Sequence, residues 1–120
     1  MPITQLIFIY NADSGGLNAL FDIAHKVISP ATYRCNLCML THGLLRERTA
    51  WKTFRESSTT PLTFLHRDEF EECYSPLTSY PVVLLEKNKQ QTALMTTEAL
   101  NALSTVDQLI ETLLQKMRDI

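Results

Sequence analysis

The chain has 120 residues, 45% of them apolar, enough to bury a core without disulfide staples or a structural metal. Its 11 basic and 13 acidic residues leave a net charge of −2 spread along the sequence, with no basic stripe to gather phosphates, which argues against nucleic acid as a partner. No apolar run approaches the roughly eighteen residues of a spanning helix, and the apolar start at 6–10 lacks a basic flank and a cleavage pattern, so a cytoplasmic protein without membrane association is expected.

Residues 3–10 are rich in β-branched and aromatic types and almost continuously apolar, the pattern of a strand covered on both faces. In the turn that follows, Asp13 or Ser14 can cap a helix on which Leu17, Leu20, Phe21, Ala24 and Ile28 recur at helical spacing until Ser29 and Pro30. Residues 31–58 read as a helical insertion. One helix is expected over 32–44, closed by Gly43, and a second over 46–55, presenting Trp51 and Phe54 inward. After a polar linker come a short strand at 62–65 and a short acidic helix at 68–74. Pro81 opens an apolar strand at 82–85, followed by a polar turn at 86–90 and a return strand at 92–95. Ser104 with Asp107 resembles a capping box ahead of a stripe formed by Val106, Leu109, Ile110, Leu113 and Met117. No repeat or composition break divides the chain, so a single domain over 1–120 is expected.

Chemistry concentrates at Cys35, Cys38 and His42. On a helix, spacings of three and four put all three on one face, close enough for the histidine to favour a thiolate or for the set to begin a metal site. Three readings stand: redox exchange, zinc, and plain packing of two small apolar side chains. Zinc needs a fourth ligand, which Cys73, His25 or His66 would have to bring from elsewhere in the fold. The turn 11–16 offers free amides to an anion, but Asp13 would repel one, and an N-cap is the simpler reading. Asp68, Glu69, Glu71 and Glu72 read as a solvated helix face.

The order of elements, with Tyr80-Pro81 ahead of the third strand, resembles the thioredoxin fold: a four-stranded mixed sheet flanked by helices, here with the helical insertion after the first helix. The resemblance implies a cis bond at Pro81. It also implies a redox centre directly after the first strand, where this chain carries Asn11 and Ser14, neither of which can exchange a disulfide. The strings Tyr10-Asn11-Ala12-Asp13-Ser14-Gly15 and Cys35-Asn36-Leu37-Cys38 are similar to those of a group of small bacterial proteins that supplies no activity to carry over. The resulting expectation is a thiol–disulfide protein without cofactor, with Cys35 attacking, Cys38 resolving and His42 tuning them. Zinc on Cys35, Cys38 and His42 is the alternative. A non-catalytic module is the other reading, in which Asn11, Asp13, Ser14, Tyr80 and Pro81 bind a protein or peptide partner.

Overall fold

The computed structural model describes residues 4–12, 14, 24, 35–42 and 46–120. Among them, in chain order, are β1 (Gln5–Tyr10), α1 (Asn36–His42), α2 (Thr49–Ser57), β2 (Leu62–His66), α3 (Arg67–Cys73), β3 (Val82–Lys87), β4 (Gln90–Met95), α4 (Thr97–Asn101) and α5 (Val106–Arg118). The strands form one mixed sheet in the order β2-β1-β3-β4. β1 runs parallel to β2 and antiparallel to β3, and β3 turns back into β4. The expected α/β class and four-stranded mixed sheet are both found.

β1 is central because both of its faces are apolar. Leu6, Phe8 and Tyr10 point into one core and Ile7 and Ile9 into another, following the period of two that a strand imposes. The first core is closed by Leu37 and Leu40 of α1, Trp51 of α2, Leu100 of α4, and Leu109 and Leu113 of α5. The second is closed by Phe70 of α3 over Val82 and Leu84. Each such side chain contributes about 1.5–3 kcal/mol by leaving water. Trp51 anchors the larger core, stacked on Phe54 at 5.2 Å and edge-on to Phe8 at 5.4 Å between ring centroids.

Several element ends differ from expectation for local reasons. Asn88 and Lys89 both have positive φ, as a two-residue hairpin turn requires, so β4 begins at Gln90 and carries polar residues along an exposed edge. α5 is capped one residue later than expected: Thr105 accepts from Gln108 N, while the Gln108 side chain accepts from Ser104 N and Thr105 N. α4, capped by Thr96, is too short to show a helical period in sequence. α1 is described over Asn36–His42 within the expected 32–44, and α2 lies at Thr49–Ser57 where 46–55 was expected. The Tyr80–Pro81 bond is cis, as the resemblance implied. The expected helix at 17–28 falls outside the described residues except for Ala24, which is helical and exposed. Among the described residues no helix is long and apolar enough to cross a membrane.

Trp51→Ala removes the largest fully buried side chain and is expected to cost about 3–5 kcal/mol. Urea unfolding followed by far-ultraviolet circular dichroism checks it, and a loss below about 1 kcal/mol would mean that α2 is not part of the core.

Candidate functional site

The site forms where β1, β2 and β3 reach the same end of the sheet. Ile9 pairs with Val82 and Tyr10 with His66, so the chain leaving β1, the chain leaving β2 and the chain entering β3 converge there. The turn after β1 is tied to the start of α3. Arg67 N donates to Ala12 O at 3.0 Å and its guanidinium to Asn11 Oδ1 at 3.1 Å. Ser14 donates its amide at 2.9 Å and its hydroxyl at 2.6 Å to the Asp68 carboxylate. Those bonds, the hydroxyl first, hold the Asp68 carboxyl below the ordinary aspartate range. An external anion would have to displace Asp68 to use Ser14. Asp13 lies outside the described residues.

Cys35 occupies the N-cap position of α1. Its carbonyl accepts the first helical bond from Met39 N, and its sulfur accepts from Cys38 N at 3.3 Å, as a serine or aspartate oxygen does in most caps. The same sulfur accepts from Asn11 N at 3.3 Å. A pair that lies 24 residues from the turn in sequence is thereby seated against it. Cys35 and Cys38 form a disulfide with a Cα separation of 5.3 Å, within the usual range, and both are buried.

The two residues between the cysteines explain the seating. Asn36 Nδ2 donates to Leu100 O at 2.7 Å and Leu103 O at 2.9 Å, pinning the first turn of α1 to the end of α4. Leu37 fills the larger core. One residue faces a carbonyl clamp and the next faces the core, so the sulfurs have little freedom to drift.

One turn past Cys38, the buried Thr41 donates to Leu37 O at 2.9 Å and lies 2.7 Å from His42 Nδ1. Burial raises the Tyr10 pKa to about 12, against the lowering effect of Thr41, so Tyr10 is a neutral hydroxyl across the physiological range. The His42 ring packs edge-on to Tyr10 at 6.0 Å. His42 therefore shares the helix of the sulfur pair and is oriented by Tyr10 and Thr41.

Tyr80 and Pro81 sit at the same sheet end, and the Tyr80 side chain serves the other face. The Tyr80 ring packs against Phe70 at 6.4 Å, and its hydroxyl donates to Glu71 at 2.8 Å while accepting from Leu77 N at 3.0 Å. The Pro81 carbonyl accepts from the Thr97 hydroxyl at 2.9 Å.

In the oxidised pair neither sulfur is the thiolate that zinc binds. Among the described residues no group of three or more His, Cys, Asp or Glu side chains is placed to hold a metal. Cys73 ends α3, on the opposite face of the sheet from α1, and His66 is bonded to Glu69 through Nδ1 at 2.8 Å. His25 lies outside the described residues. A cavity of about 370 Å³ beside α1, lined in part by Asn36, Met39, Arg48 and Thr105, has its polar walls already paired: Arg48 donates to Met39 O and the Thr105 amide to Gln108.

Sequence reasoning missed the Asn11 amide because a backbone donor leaves no mark in residue identity. It also missed Tyr10 and Thr41. Tyr10 was legible in principle, since alternation from Phe8 puts it on the face that the helices cover. Comparison of the chain with protein-family models, with curated proteins and with solved structures found no match.

Asn36→Ala deprives two carbonyls of their donor and is expected to lower stability by about 1–3 kcal/mol; Asn36→Asp should cost more, because it turns an acceptor toward them. Denaturant unfolding of the two variants checks that order. Asp68 supplies a pH test. With its folded pKa below the unfolded value of about 3.9, its stabilising contribution is complete above that value and is lost as pH falls through the lower folded one. Asp68→Asn should flatten the acid side of the stability curve, and Ser14→Ala should move the Asp68 carboxyl upward in an NMR titration.

Proposed function

We propose that this chain is a cytoplasmic thiol–disulfide redox protein of thioredoxin-like architecture, exchanging electrons with protein or peptide thiols through Cys35 and Cys38. The observation that carries this reading is the seating of the disulfide against the turn after β1, where Cys35 Sγ accepts from Asn11 N. In the thioredoxin-like arrangement that turn is the place for a redox pair. The sheet order β2-β1-β3-β4, with one parallel and two antiparallel pairings and Pro81 directly before β3, supports the same reading. The pair belongs to the turn in space, although the sequence puts it after the insertion.

A staple is the weaker account of this bond. Closing so short a loop removes only about 2 kcal/mol of chain entropy, against more than 4 for a loop of about a hundred residues. A domain of this length also has core enough to fold without it. What a short-range pair does supply is two sulfurs held at bonding distance by a helix turn, so that the second thiol is always at hand when the first is engaged.

The decisive experiment equilibrates the protein in defined glutathione or dithiothreitol buffers and counts free thiols. A reversible two-electron transition is expected, with a midpoint between about −320 and −180 mV, and it should vanish in both Cys35→Ser and Cys38→Ser. Thiols that stay reduced at the oxidising end, or a bond that resists all reductant in the folded protein, would sink the proposal.

A further inference from the structure

The geometry points to a fixed division of roles between the two sulfurs, reversed from the order that the sequence suggests: we propose that Cys38 is the sulfur an incoming thiolate attacks and Cys35 is the one that leaves. The inference rests on the redox reading above. Two independent observations carry it. Cys38 keeps 7% of its surface open, whereas Cys35 has 0%. Exchange requires contact between sulfurs, so the attack falls on the one that can be reached. Cys35 Sγ, in contrast, accepts two backbone N–H groups, from Asn11 and from Cys38, each at 3.3 Å. Those donors favour a sulfur that carries negative charge, and they stand in place before any charge develops.

A thiolate of a dithiol reductant attacks Cys38 Sγ and forms a mixed disulfide; the Cys35–Cys38 bond breaks, and its electron pair departs on Cys35 Sγ, which rests as a thiolate on the two amides. The reductant's second thiolate then attacks its own sulfur in the mixed disulfide and releases Cys38 as a thiolate. The two protons lost by the reductant's thiols are taken up by Cys35 and Cys38. The protein gains two electrons, and the reductant ends as its own disulfide. In the reverse direction Cys38 attacks the substrate disulfide, and Cys35, already beside it, resolves the intermediate.

Leu37 and Asn36 keep the roles from exchanging. Asn36 is held by Leu100 O and Leu103 O and Leu37 is fully buried, so α1 has no freedom to turn Cys35 outward in place of Cys38.

The test uses the full chain with the exposed Cys73 changed by Cys73→Ser. The reduced protein is treated with less than one equivalent of iodoacetamide under native conditions, and the label is located by fragmentation of the peptide that contains both thiols. Labelling of Cys38 over Cys35 by about tenfold or more is expected from the difference in access. Equal labelling, or preference for Cys35, overturns the proposal. Single-thiol variants give a second measure with glutathione disulfide as probe: Cys35→Ser should form the mixed disulfide at least about tenfold faster than Cys38→Ser. Emission of Trp51 reports that each variant is folded, and where one is not, the labelling ratio of the two-thiol protein decides. If the pair cycles in redox buffers but Cys35 labels first, only the division of roles falls; if it does not cycle, the redox reading falls and takes this inference with it.

Discussion

The double-sided burial of β1 is the constraint from which the rest follows. A strand whose alternate residues enter two different cores cannot be an edge, so it must pair on both sides, and β2 and β3 supply the two ladders. Once it is central, its C-terminal end becomes a fixed point at which β2 leaves, β3 enters and the next amide of the chain meets a sulfur. A slip of one residue in β1 would exchange Phe8 and Tyr10 for Ile7 and Ile9 in the helix-covered core. It would also carry the Asn11 amide away from Cys35. Core packing and sulfur chemistry are therefore set by the same register.

The Cys-Asn-Leu-Cys turn is held from three directions. Asn36 is clamped by the end of α4, Leu37 is driven into the core by its apolar side chain, and Cys35 caps its own helix while reaching the sheet. Tyr10 stays neutral because burial opposes its ionisation, and Thr41 shares its hydroxyl between Leu37 O and His42 Nδ1. The Glu47–Arg55 ion pair, at 2.6 Å, is partly exposed. Negative charge forming on Cys35 would be met by the backbone N–H groups of Asn11 and Cys38, the kind of stabilisation that needs no side-chain reorganisation.

The opposite face is built for a different task. α3 is tied to the turn after β1 through Arg67, Asp68 and Ser14, and it covers Ile7, Ile9, Val82 and Leu84 with Phe70. Tyr80 joins that face, bonded to Glu71 and edge-on to Phe70. The loop before β3 therefore braces α3 with its side chain, while its backbone remains at the sheet end shared with the disulfide. Among the residues the sequence singled out, Cys35, Cys38 and His42 gather on one face and Tyr80 and Cys73 on the other.

What the residue order determined by itself was whatever depends on short-range periodicity. The apolar run of β1, the proline before β3, the stripe of α5 and the inward Trp51 all follow from patterns a few residues long, and all lie where those patterns put them. The hairpin ends, the start of α5 and the presence of α4 escaped by one or two residues or one turn, because capping choices and two-residue turns depend on backbone angles that several residue types accept. Only the tertiary structure decided where the sulfur pair resides. Cys35 Sγ is met by the Asn11 amide, and Asn36 beside it by two carbonyls at the end of α4, contacts separated by 24 to 67 residues. No local pattern encodes them, because the groups involved are backbone atoms that every residue carries.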